Sequence, residues 1–173
     1  MTASSDRERV LDQDVFDEWP PQLRALFDGT SLETKTGFTA SLLTLDANGH
    51  LRTSLLGVGE LYAPDSRTMC IALWPQSRAA RTLAHGGRAA LTFVFDDAFY
   101  QVQLDLRPLP GDEGALACLT GSIDTGEAQR VRYARLTGGI TFELEDGQVE
   151  EVLDRWKRQI EHLKKMAGAV SGH

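Results

Sequence analysis

At 173 residues and a formal net charge of −7, the chain is sized for one domain that buries roughly two-thirds of its unfolded surface. Its acidity argues against a general nucleic-acid or anionic-membrane surface. No apolar run is long enough to span a bilayer and the charged N-terminus has no signal-peptide core, so the expected location is the cytoplasm.

Residues 1–18 are polar and acid-rich, and read as a mobile lead-in to a single domain over 19–173. Pro20-Pro21 then starts a helix with Leu23, Leu26 and Phe27 on one face and Gly29 past its end. Thr36–Asp46 reads as a strand, Asp46-Ala47-Asn48-Gly49-His50 as a hairpin turn and Leu51–Leu61 as the return strand. Met69–Leu73 is a short buried strand. A short helix follows, near 77–85, with Ser77 at its N-cap and Gly86-Gly87 as its stop. Arg88–Phe95 and Tyr100–Arg107 are strands joined by a turn at Asp96-Asp97, the second alternating cleanly between apolar and polar positions. Asp112–Leu119 reads as a helix, Gly121–Arg130 is open between helix and loop, and Val131–Glu143 carries strand signals around Gly138-Gly139. The last element, 148–166, is an amphipathic helix whose stripe of Val149, Val152, Leu153, Trp156, Ile160 and Leu163 reads as packing.

Strands predominate and the helices are inserted or terminal, which argues for a mainly β barrel or sandwich. Gly57-Val58-Gly59 is not continued by the third glycine and helix of a dinucleotide fold. Cys70 and Cys118 make no zinc signature and fit reduced, buried thiols. The local charge is more informative. Between His50 and Ala90 the bases are Arg52, Arg67, Arg78, Arg81 and Arg88, against Glu60 and Asp65 alone. A serine-capped helical turn beside Arg78 and Arg81 suits a small anion such as a phosphate.

Several short runs, in this order and spacing, resemble the FMN-binding split-barrel family, which includes pyridoxamine 5′-phosphate oxidase. They are Arg52-Thr53-Ser54-Leu55-Leu56, Trp74-Pro75-Gln76-Ser77-Arg78, Arg88-Ala89-Ala90-Leu91 and Tyr100-Gln101-Val102. The resemblance implies a split β-barrel with three peripheral helices: the N-terminal one, the one near 77–85 and the C-terminal one at 148–166. It implies FMN as cofactor, with Arg52, Ser77 and Arg78 at the phosphate and Leu55 along the ring. Thr53 and Ser54 lie on the same strand, and Gln101 stands where the family has a glutamine contacting the cofactor. Leu73 and Trp74 complete the ring slot. Two lysines of the family pattern are absent, Ala79 and Gly57 standing in their places, and Arg81 is one turn on from the first.

The resemblance further implies a homodimer with the cofactor site at its interface and an oxidoreductase of an unidentified small molecule. The arginine and histidine that serve the true oxidase's substrate phosphate are missing from the C-terminal region, so the chain is a relative and not that enzyme. The alternatives from other classes are a non-catalytic flavin-binding or cofactor-free module, and a deazaflavin- or haem-binding relative. Haem would take its axial ligand from His50, His85 or His162. No catalytic side chain and no metal site are expected.

Overall fold

The structure, a computed structural model, describes residues 11–111 and 116–170. The elements in chain order are β1 (Leu11–Phe16), α1 (Pro21–Leu26), β2 (Ala40–Leu45), β3 (Leu51–Leu56), β4 (Leu61–Tyr62), β5 (Thr68–Leu73), α2 (Arg78–Thr82), β6 (Gly87–Phe95), β7 (Ala98–Pro108), β8 (Ala117–Val131) and α3 (Val149–Val170). All the strand pairs are antiparallel, in the order β3-β2-β6-β7-β8-β5-β4, with β1 also on β8. The fold is thus mainly β, as expected.

Two turns set the register of the hairpins. At the β2–β3 turn the Asp46 carboxylate accepts the N–H groups of Asn48 and His50, both at 2.9 Å, and Gly49 takes a positive φ of 79°. At the β6–β7 turn Asp96 and Asp97 both adopt positive φ, 49° and 64°, which matches a two-residue turn to the twist of its strands.

The long strand β8 curls the sheet. One of its edges pairs with β7, while the other is shared, by β5 over Ala117–Ser122 and by β1 over Gly126–Val131. A register shift at Gln103/Leu104 bends the β7–β8 pair further. The result is a half-barrel filled by aromatic rings. Phe93 stacks on Tyr100 at 5.1 Å, Phe27 from the end of α1 meets Phe93 edge-on at 5.5 Å, and Trp19 meets Phe27 at 5.5 Å.

Three expectations are corrected. Residues 11–16, read as part of a mobile lead-in, form β1; its side chains are exposed except for Phe16, which packs near Trp19 and Tyr100, and backbone pairing to β8 holds the rest. Residues 1–10 lie outside the described residues. The helix expected over Asp112–Leu119 is not formed where the chain is described: 112–115 lie outside, and β8 begins at Ala117. β8 also takes the whole ambiguous stretch to Arg130. Its inward positions include Gly121 and Gly126, where an added Cβ would overlap Leu106 and Phe16. The bulk that marks a strand is supplied there by neighbours. Finally, 132–147 is not a strand. Both edges of β8 are already taken, by β7 as far as Gln129 and by β1 as far as Val131, and the segment runs across the surface, with Phe142 against Trp156 at 6.2 Å.

The C-terminal helix α3 buries Trp156, Ile160 and Leu163 and packs on β4, β5 and the 3-10 turn Val58–Glu60. Gly59 lets the two approach: a Cβ there would overlap the Trp156 indole. No helix among the described residues is long and apolar enough to cross a membrane.

Candidate functional site

Two clefts meet at Trp74, the residue that follows β5 and leaves its indole 58% exposed. The smaller, about 140 Å³, lies between β3 and the β5–α2 junction, and its lining includes Ser54, Leu55, Leu73, Trp74, Ser77 and Glu60. The larger, about 640 Å³, has Trp74, Pro75 and Gln76 on one side and α3 on the other, through Arg155, Arg158, Gln159 and His162. Trp74 and Gln159 line both. Small-molecule sites run to roughly 300–1,000 Å³. The larger cleft is of that size; the smaller falls below it.

Strand periodicity separates the four consecutive residues Arg52 to Leu55. Arg52, Ser54 and Leu56 share the inner face of β3, while Leu51, Thr53 and Leu55 are exposed on the outer. Arg52 is also committed elsewhere: its Nε–H donates to Asp46 Oδ2 at 3.0 Å. The same Asp46 carboxylate accepts the His50 N–H, and these two bonds, the backbone one first, hold its pKa down at about 2. The arginine expected at a phosphate is thereby tied into the hairpin.

Helix α2 has only five residues. Ser77 caps it, its Oγ accepting the Ala80 N–H at 3.1 Å, and the Arg81 N–H donates to the Ser77 carbonyl at 3.2 Å. The N–H groups of Arg78 and Ala79 stay outside the helix ladder. Arg78 is exposed beside Ser77, whereas Arg81 lines a third cleft of about 330 Å³, with Leu83, Pro108 and Leu109. Gln101 is half-buried on β7 between Thr92 and Glu127. The fold therefore gathers Ser54, Leu55, Leu73, Trp74 and Ser77 around one cleft, with Arg78 next to it. It does not bring Arg52, Thr53, Arg81 or Gln101 to that lining.

The wall supplied by α3 was not anticipated. Arg155 Nε, Gln159 Oε1 and His162 Nε2 are each buried without a hydrogen-bond partner among the described residues, and Gln159 as a whole is 7% exposed. A buried polar group left unpaired costs about 1–3 kcal/mol, so three on one cleft wall is a concentration that calls for a reason. The signal was present as spacing: 155, 159 and 162 recur at helical intervals beside the apolar stripe. Glu60 adds a carboxyl. Burial pushes its pKa up, against the Gly57 N–H it accepts at 2.6 Å and the nearby Arg155 charge.

The two thiols are structural. Cys70 and Cys118 are free and buried, and burial pushes the Cys118 thiol up to about 11. No group of three potential metal ligands occurs among the described residues.

Comparison with known proteins places this geometry. No protein-family model matches the chain. It is 31% identical over 150 residues to the uncharacterised protein YclD of Bacillus subtilis, an alignment covering 83% of this chain and 94% of YclD. The chain belongs to the YclD family. Its fold is that of the FMN-binding split barrels: it superposes on a candidate pyridoxamine 5′-phosphate oxidase of Lactobacillus delbrueckii with a TM-score of 0.50 at 14% identity, covering 64% of this chain and 94% of that one. An FMN-binding protein of Syntrophomonas wolfei superposes with a TM-score of 0.44 at 16% identity over 60% of this chain and 85% of that one. At such identities the likeness concerns the fold.

Proposed function

We propose that the chain is an FMN-binding flavoprotein acting as an oxidoreductase on a small molecule, as a cytoplasmic homodimer with the cofactor at the subunit interface. One observation carries this reading: β3 and the β5–α2 junction, which hold the residues expected along the cofactor, face each other across one cleft. The donor set fits an FMN end. Ser54 and Ser77 offer hydroxyls, Arg78 a guanidinium without an ion pair among the described residues, and Leu55, Leu73 and Trp74 apolar surface for a ring. Two serines, one free arginine and the amides of α2 do the work of the absent lysines.

The size of the cleft supports the dimer. At about 140 Å³ it cannot enclose a whole flavin, so the remainder lies over the exposed Leu55 and Trp74. Leu45 and Leu51, 59% and 75% exposed, continue that apolar surface along the β2–β3 hairpin, and a second subunit on it would exclude water from the ring. When bound, FMN supplies hydride or electron transfer itself. The residues of the chain bind and orient, and Glu60 is a carboxyl that keeps its proton to higher pH within the cleft.

The haem alternative narrows to His162. His50 lies on the exposed hairpin turn beside Asp46, His85 is exposed after α2, and His162 alone of the three lines a cleft. An absorption spectrum of purified protein decides between these. The expected result is a flavin spectrum bleached by NADH, NADPH or another reductant. A haem or deazaflavin spectrum, or protein that stays colourless after incubation with FMN, overturns the proposal.

A further inference from the structure

The α3 side of the larger cleft asks for a ligand of definite chemistry. Arg155 and Arg158 bring positive charge to one wall and His162 a ring nitrogen, and Gln159 there holds a buried carbonyl oxygen with no donor among the described residues. Trp74 and Pro75 form the opposite, flat and apolar side. Among the described residues no acid of the same helix forms an ion pair with Arg155 or Arg158: Glu150, Glu151 and Asp154 are exposed, and Glu161 pairs with Lys164 at 3.5 Å. Glu60, the carboxylate near Arg155, accepts the Gly57 N–H.

From this we infer that the cleft between α3 and Trp74 binds a planar organic carboxylate that also carries an N–H or O–H donor. The carboxylate takes the arginine forks. The ring lies against Trp74. The donor satisfies Gln159 Oε1, which an anion alone would leave unpaired and would repel. A bare inorganic anion fills too little of about 640 Å³ and makes no use of the indole. Naming this ligand as the substrate rests on the flavoprotein reading; its binding does not.

The test titrates the purified full chain with 4-hydroxybenzoate, benzoate and 4-hydroxybenzamide, following tryptophan fluorescence. The hydroxy acid binds best, benzoate several-fold more weakly and the neutral amide at least tenfold more weakly. Arg158→Gln, at an exposed position, weakens the acid without disturbing the fold. Adding Arg155→Gln brings the loss to tenfold or more, and Gln159→Leu erases the preference for 4-hydroxybenzoate over benzoate. FMN affinity, measured separately, stays within twofold in the two arginine variants. Equal binding of acid and amide, no binding of either, or unchanged affinity in folded variants overturns the inference. So does a parallel loss of FMN affinity, which would make this wall part of the flavin cradle. Acid binding by a chain that takes no FMN upholds the carboxylate site and defeats the flavoprotein reading instead.

Discussion

The β wall and the α3 wall of the Trp74 clefts hold their polar groups in opposite ways. On the β side three are spoken for within the fold, Arg52 by Asp46, the Ser77 hydroxyl by the Ala80 N–H and the Glu60 carboxylate by the Gly57 N–H, while Arg78, exposed beside the cleft, has no ion pair among the described residues. On the α3 side Arg155 Nε, Gln159 Oε1 and His162 Nε2 are buried with no partner among the described residues. A hydrogen bond closed within the chain adds modestly to stability, and one left open in the interior subtracts from it. The β wall is therefore held together internally and keeps its open charge at the exposed rim, whereas the α3 wall leaves its open groups in the interior.

Removing the anchor of α3 breaks the comparison most severely. Trp156 is 4% exposed and fits over Gly59, so Trp156→Ala should cost about 3–5 kcal/mol, as large-to-small core substitutions do. A lower urea midpoint checks this, and 4-hydroxybenzoate binding should go with it. If stability falls and the acid still binds, the two walls are not joined through α3. A smaller effect sharpens the β side. The folded pKa of Asp46 lies below its ordinary 3.8, at about 2. Its contribution is then present above 3.8 and lost as the pH falls toward 2. The Tm gap between wild type and Asp46→Asn should accordingly be steady near neutrality and close over that interval. A gap that persists at the lowest pH would show that the carboxylate charge is not what holds the hairpin.

What was legible in the sequence was local. Asn48-Gly49 announced a turn, Ser77 a cap, and the 3.6-residue stripe from Val152 to Leu163 a helix face, because each signal lies within a few residues of what it determines. β8 was hidden because Gly121 and Gly126 leave their space to Leu106 and Phe16, far away in sequence. β1 was hidden because, Phe16 apart, it is held by backbone pairing, to which composition is blind. At the site, Ser54, Leu55, Leu73, Trp74 and Ser77, which line one cleft, were named through the resemblance to the split-barrel family. The capture of Arg52 by Asp46 across a hairpin was not legible, nor was the placement of Arg81 in a separate cleft. The open polar groups of α3 recur at helical spacing beside the apolar stripe, but only the packing of α3 against β5 and the Val58–Glu60 turn reveals which of them are buried.

The most direct test is a titration of FMN onto apo-protein, comparing wild type with a Ser77→Gly/Arg78→Ala variant that keeps a competent helix cap at a cost of only a few tenths of a kcal/mol. The account predicts saturable binding, one flavin per chain, with tryptophan quenching, and an affinity at least tenfold lower in the variant. Absence of saturable binding, or equal affinity in the two proteins, would contradict it.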